Sequence, residues 1–390
     1  MWITRQIEYI IPKYLREFPV LLITGARQVG KTSLLKKLFP DYQYITLDDP
    51  IVAARVENSP EDFFASLKTP VIIDEAQYAP SIFRYIKIIV DKSGKKGQFL
   101  ITGSQIFSLM QNLSESLAGR CGVINLHTLS MEEIKQSIPA VSLGKYIERG
   151  GFPALHSGEI TEANIWYSSY ISTYIERDVR NILSVSNLRD FTRFMRILSL
   201  RTGQILSLSG IANDVGVAPN TVKSWLSVLQ ASGHIYLLEP YYNNMGKRIA
   251  KTPKIYFCDT GLALHLMGIT SWDEVEKTPI AGAIWETYIF NQIHRYYINR
   301  GINNPPLWFW RSQSGHEVDF LIEKGGKFIA IESKLTGSPD AGDYKNFYYL
   351  QNFYGKESFL KGIVACKVRE SYPLEKNITA QNFIDVGEIF

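Results

Sequence analysis

Eight residues carry the sharpest chemistry in this chain: Gly25-Ala26-Arg27-Gln28-Val29-Gly30-Lys31-Thr32, directly after the apolar run Val20-Leu21-Leu22-Ile23. The spacing G-x-x-x-x-G-K-[ST] suits a string of phosphates. Its glycines let backbone N–H groups curl around the anion, Lys31 reaches the β- and γ-oxygens, and Thr32 offers a hydroxyl to Mg²⁺. A helix starting there adds its N-terminal dipole, so the expected cradle runs from Gly25 through Ser33.

A second element completes such a site. Val71-Ile72-Ile73-Asp74-Glu75-Ala76-Gln77 reads as a buried parallel strand with two acids at its carboxyl end. Ligands of open α/β sheets bind at that edge. Asp74 is expected to hold Mg²⁺ through water, and Glu75 to orient and polarise an attacking water. A third strand, Phe99-Leu100-Ile101-Thr102, ends in Gly103-Ser104-Gln105. Ser104, or alternatively Gln105, is placed there to sense a γ-phosphate. Arg120 is the candidate for stabilising transferred charge, in cis or across a subunit interface.

A different chemistry is suggested near the C-terminus. The segment from Gly315 to Lys334 patterns as a hairpin turning at Gly325-Gly326. Pairing Lys324 with Lys327 and counting outward puts Asp319 opposite Glu332, about 5 Å apart. Lys334 shares their face. A divalent metal between the two acids, with the lysine beside an attacking water, would be the layout of metal-assisted phosphodiester hydrolysis. Glu286, on the amphipathic stretch Ala283–Phe290, could add a ligand. The alternative is a solvated edge hairpin in which Lys334 merely pairs with an acid.

Several elements must position these groups. At 390 residues the chain exceeds one ordinary core, so two to four domains are expected. A hydrophobic fraction of 45% with 13% aromatics describes a folded protein rather than a disordered one. No apolar run approaches the ~20 residues of a membrane span. No signal-peptide core follows Met1, and the three scattered cysteines suggest neither zinc nor a disulfide framework, so a cytoplasmic location is expected.

Charge is unevenly placed. Residues 1–254 hold 29 Lys and Arg against 22 Asp and Glu, whereas residues 255–390 hold 13 against 16. Nine of the basic residues fall between Arg189 and Lys254, opposed there by Asp190, Asp214 and Glu239. That basic 189–254 segment is where a nucleic-acid backbone would be met. Within it, residues 205–240 read as a helix-turn-helix about Gly216, followed by the strand Ile235–Leu238 as the start of a wing. Its second helix offers Lys223 and few base-reading groups, so a role as a protein-interaction module or ATPase accessory domain weighs equally with DNA binding.

The combination resembles the bacterial and archaeal AAA-type ATP-binding proteins with a C-terminal domain of unknown function similar to PD-(D/E)xK nucleases. The residues that carry the resemblance are Thr24–Thr32, Ile73–Gln77, Gly150-Gly151-Phe152-Pro153, Tyr174–Val179, Lys254–Ala263 and Gly315–Phe320. It implies binding of ATP and Mg²⁺, and it places Glu286, Asp319, Glu332 and Lys334 at the nuclease-like acid, acid and E-x-K positions. The expected fold is α/β. A P-loop core with a parallel sheet spans 1–128 and a helical lid 129–194, followed by a winged helix at 195–252 and a restriction-endonuclease-like α/β domain at 253–390. Two functions remain: an ATPase coupled to a nuclease in DNA processing or defence, or a nucleotide switch whose last domain binds a partner. Oligomerisation is compatible with both.

Overall fold

The computed structural model describes residues 1–103, 116–175, 188–241, 252–384 and 386–387. They divide into two compact units. The first comprises Met1–Leu129 with Ala231–Gly233 and Tyr297–Asn303.

Its core is a sheet of β1 (Val20–Thr24), β2 (Gln43–Thr46), β3 (Val71–Asp74), β4 (Phe99–Thr102) and β5 (Cys121–Asn125). The order is β2-β3-β4-β1-β5, and every pairing is parallel. Strands β1, β3 and β4 are buried along their whole length, which explains their continuous apolar runs. Leu22, Ile73 and Ile101 pack with Phe83 and Ile86 from the helix Ile82–Ser93. Each such side chain contributes roughly 1.5–3 kcal/mol of burial. Because all five strands run the same way, their carboxyl ends form one edge. The loop after β1 and the acids after β3 meet there.

The second unit comprises Ser130–Gln230, His234–Tyr296 and Asn304–Phe390. Short helices open it, among them Met131–Ser137, Leu143–Arg149 and Ala163–Tyr170. Here the Gly150-Gly151 pair has a structural role. The Gly151 N–H donates to Asp259 Oδ2 at 2.7 Å, and the Tyr167 hydroxyl donates to Oδ1 at 2.8 Å. A Cβ on Gly150 would stand 2.0 Å from that same Oδ1. Asp259 also caps the helix Thr260–Met267 through the Leu262 N–H, so two distant sequence motifs are one packing joint. Residues 176–187, including most of Tyr174–Val179, lie outside the described residues.

Further along, the helices Leu208–Val215 and Pro219–Ala231 flank Gly216, whose φ of 86° ends the first. Strands β6 (Ile235–Leu238) and β7 (Lys254–Phe257) then pair antiparallel.

A six-stranded mixed sheet closes the unit: β8 (Leu307–Arg311), β9 (Glu317–Lys324), β10 (Lys327–Ser333), β11 (Phe359–Cys366), β12 (Tyr372–Glu375) and β13 (Ile378–Asn382). They lie in the order β12-β13-β11-β10-β9-β8. The hairpin β9–β10 turns at Gly325-Gly326, both at positive φ, as a two-residue turn of the I′ kind requires. Its register runs from Lys324 opposite Lys327 to Phe320 opposite Ile331, and one step further Asp319 comes opposite Glu332. The helix Ala341–Tyr354 covers one face through Tyr344, Phe347 and Leu350, against Leu321, Ala330 and Val364.

Candidate functional site

The phosphate-loop residues fold around two backbone demands. Gly25, at φ 136°, is so close to the chain after β5 that a Cβ would lie 2.1 Å from the Leu126 carbonyl oxygen. Gly30, at φ 93°, turns the chain into the helix Lys31–Leu38. Between them Ala26 and Val29 are buried, whereas Arg27 is half-buried and Gln28 exposed, as is Ser33 beyond. The Lys31 ammonium is buried and donates to the Gly25 and Ala26 carbonyls at 3.0 and 2.9 Å.

Across from it stands Asp74. Thr32 Oγ1 donates to its carboxylate, 2.9 and 3.0 Å from the two oxygens. Tyr44 donates to Oδ2 at 2.8 Å and Thr102 donates to Oδ1. Burial and the bond to Asp74 push the Tyr44 phenol up to about 12, so it stays a donor at working pH. A hydroxyl and a carboxylate oxygen in contact are hard oxygen donors of the type Mg²⁺ selects. The residues therefore fit that ion. Glu75 follows at a strained positive φ of 55°. Its backbone N–H donates to Thr102 Oγ1 at 3.3 Å, and its carboxylate accepts from the Gln77 amide. Asp74 thus sits at the carboxyl edge in contact with Thr32, with Glu75 next in the chain.

Three residues that motif reasoning misses support this site. Tyr44, within β2, and Thr102, at the end of β4, lie on the two strands that flank β3 and bond Asp74. Arg5, buried, donates to the Val29 carbonyl at 3.0 Å and the His127 carbonyl at 2.6 Å, bracing the loop from behind. No spacing rule points to them. The signal is only that polar groups at the carboxyl ends of parallel strands converge.

Arg120 does not join this group within the chain, which leaves, of the two expected placements, the one across a subunit interface. It precedes β5, whose Cys121 lies opposite Val20 at the start of β1. The phosphate loop follows the other end of β1, about 13 Å away at ~3.3 Å per residue. Arg120 instead makes an exposed, two-pronged ion pair with Asp91, one contact being 3.1 Å. Ser104 and Gln105 lie outside the described residues.

The C-terminal acids are arranged differently from the expected metal centre. Lys254, whose side chain is 3% exposed, places its ammonium 2.8 Å from Glu286 Oε1, 2.5 Å from Glu317 Oε1 and 3.7 Å from Asp319 Oδ1. Tyr256, on the same face of β7, donates to Glu286 Oε1 at 2.5 Å. Asp319 Oδ2 accepts from the Ser333 N–H and hydroxyl, both at 2.8 Å. Glu332 turns instead to Asn346 and Lys334, each at 3.2 Å. Glu286, Asp319 and Glu332 therefore do not converge as three ligands. Among the described residues no group of three or more His, Cys, Asp or Glu is placed to hold a metal ion. Lys334 acts as the ion-pair partner of Glu332.

The electrostatics follow from burial. Burial disfavours the Lys254 ammonium, yet Glu286, Tyr256, Asp319 and Glu317 hold its proton well above the ordinary lysine value. Burial pushes Glu286 up to about 7 against the attraction of Lys254. Burial, with Asp319 beside it, raises Glu332 well above the usual carboxylate range, and Lys334 opposes the shift.

The basic middle segment is also thinner than its sequence suggests. Lys254 is internal, and Arg201 pairs with Asp214. Lys247, Arg248 and Lys251 lie outside the described residues. Arg189, Arg193, Arg196 and Lys223 are exposed, the arginines spaced along one face of the helix Leu188–Ser199. Among the described residues no helix is long and apolar enough to cross a membrane.

The parallel sheet, its phosphate loop and the acid-bearing β3 define an α/β domain of the P-loop nucleotide-binding class. The AAA domain model matches residues 17–135. Two further models match, a Domain of unknown function (DUF8612) over 140–273 and a Domain of unknown function (DUF4143) over 281–384. The chain is 32% identical over 328 residues to the uncharacterized protein Rv2008c of Mycobacterium tuberculosis and, equally, to the uncharacterized protein Mb2031c of Mycobacterium bovis. The match covers 83% of this chain and 72% of each relative. The chain belongs to the family of these two mycobacterial proteins. Among solved structures, it resembles the Walker-type ATPase of Pyrococcus abyssi at 16% identity and a TM-score of 0.45, covering 67% of this chain and 94% of that one.

Proposed function

We propose that the protein is an AAA-type ATPase that binds ATP with Mg²⁺ at the carboxyl edge of its parallel sheet and hydrolyses it. The observation that carries the reading is the contact of Thr32 with Asp74 beside a Lys31 held on neutral carbonyls. Carbonyl partners are weaker than phosphate oxygens for an ammonium, so Lys31 gains by turning to the β- and γ-phosphates. Thr32 and Asp74 would hold Mg²⁺, which supplies neutralisation of phosphate charge when bound. Glu75, poised at the end of β3, accepts a hydrogen bond from the attacking water. The test is ATP binding and hydrolysis by the purified chain. Lys31→Ala should abolish binding and Glu75→Gln should retain binding while losing turnover. Unchanged binding in Lys31→Ala would refute the assignment.

For the remaining domains we read the helices around Gly216 and strands β6–β7 as a winged helix, and the mixed sheet with Glu286, Asp319 and the Glu332-x-Lys334 pair as a nuclease-like fold. An ATP-regulated nuclease needs a divalent metal among those acids. The Lys254 ammonium already lies between Glu286 and Asp319, and this favours the second reading, a nucleotide switch whose last domain binds a partner. Nucleic acid remains the partner class with a surface to meet it, through Arg189, Arg193, Arg196 and Lys223. Cleavage of single-stranded, duplex or branched DNA with Mn²⁺ and ATP, lost in Asp319→Asn, would reverse that choice.

A further inference from the structure

We propose that Lys254 is the resident cation of the C-terminal carboxylate cluster, its ammonium filling the space between Glu286, Glu317 and Asp319 that a divalent metal would otherwise take. The inference deepens the partner-binding reading of this domain and is independent of the ATP site. Three acids from two separate elements meet one nitrogen: Glu286 from the helix Ala281–Ile298, and Glu317 and Asp319 from the start of β9. Such convergence is the work of a fold that gathers negative charge at a point, which without a cation is strongly unfavourable.

The cation is supplied from within. Strand β7 alternates, so Lys254 and Tyr256 face the same side, and both reach Glu286 Oε1. The outer oxygens of Glu317 and Asp319 are engaged as well. Glu317 Oε2 takes Arg311 at 3.1 Å, Asp319 Oδ2 takes Ser333, and the neighbouring Glu332 takes Lys334 and Asn346. A metal entering here would have to displace a buried ammonium from three carboxylates. It would also have to strip those donors from the carboxylates. Four acids against Lys254, Arg311 and Lys334 leave the cluster nearly balanced by protein charge. The expected nuclease metal and the residues present therefore disagree, and the disagreement is specific to one side chain.

The test uses the full chain without nucleotide and follows free Mn²⁺ by its electron paramagnetic resonance signal. Wild type and Asp319→Asn should remove the same amount of Mn²⁺, because Asp319 serves Lys254 and not a metal. Lys254→Met, which keeps length and loses charge, should gain one bound Mn²⁺ per chain, and adding Asp319→Asn should abolish the gain. Loss of a bound ion when Asp319→Asn is made in the wild type would overturn the proposal, as would a folded Lys254→Met chain that gains none. The first comparison decides even where Lys254→Met does not fold. DNA cleavage by the wild type would remove the partner-binding reading. Loss of Mn²⁺ without cleavage would remove only the Lys254 assignment.

Discussion

Lys31 and Lys254 are both buried lysines, yet the first touches backbone carbonyls and the second touches carboxylates. Lys31 rests on two backbone carbonyls, with its acid, Asp74, satisfied by the hydroxyls of Thr32, Tyr44 and Thr102. A carboxylate held by neutral hydroxyl donors keeps its charge for an incoming cation, and phosphate oxygens are stronger acceptors for an ammonium than the carbonyls Lys31 touches. Lys254 has already spent its charge on Glu286, Glu317 and Asp319. The lesson is that a lysine and acids in proximity mean binding or packing according to whether they face each other.

The contrast can be broken most readily at Lys31. Lys31→Ala removes two or more charge-assisted bonds to phosphate, at about 1.5–3 kcal/mol each. It should weaken ATP binding at least roughly 100-fold by calorimetry with little change in melting temperature. Lys254→Met should do the reverse. It leaves uncompensated buried acids, a change of about 3–5 kcal/mol, so stability in denaturant titration falls while ATP affinity per folded molecule holds.

The pH dependence of stability sharpens the picture of the second cluster. With Glu286 raised from 4.5 to about 7, the folded protein keeps a proton between those values that the unfolded chain has released. Stability from this group is therefore fully present below about pH 4.5 and falls as pH rises towards 7. Glu286→Gln should flatten that decline in denaturation curves taken across the window. The smallest effect belongs to Tyr44→Phe, which deletes one bond to Asp74 worth about 1 kcal/mol and should weaken Mg²⁺-dependent ATP binding several-fold. No change in magnesium dependence would remove Tyr44 from the metal site.

The phosphate loop was legible because its spacing is a backbone requirement: Gly25 and Gly30 occupy conformations and contacts that tolerate no side chain. The β9–β10 register was legible for a related reason, since Gly325-Gly326 fixes the turn and alternation fixes the faces. Lys254 was not. It lies over sixty residues before Asp319, and a count of charges makes it one more basic surface residue. What could have marked it is its place in Lys254-Ile255-Tyr256-Phe257, where a lysine opens an otherwise apolar strand. The placement of Arg120 was not legible either, because its distance from the loop depends on which end of β5 it flanks.

The most direct test counts tightly held Mn²⁺ in the full chain with saturating ATP. One ion per chain is predicted, lost in Asp74→Asn and untouched by Asp319→Asn. Two ions per chain, or one that survives Asp74→Asn and disappears in Asp319→Asn, would contradict the account.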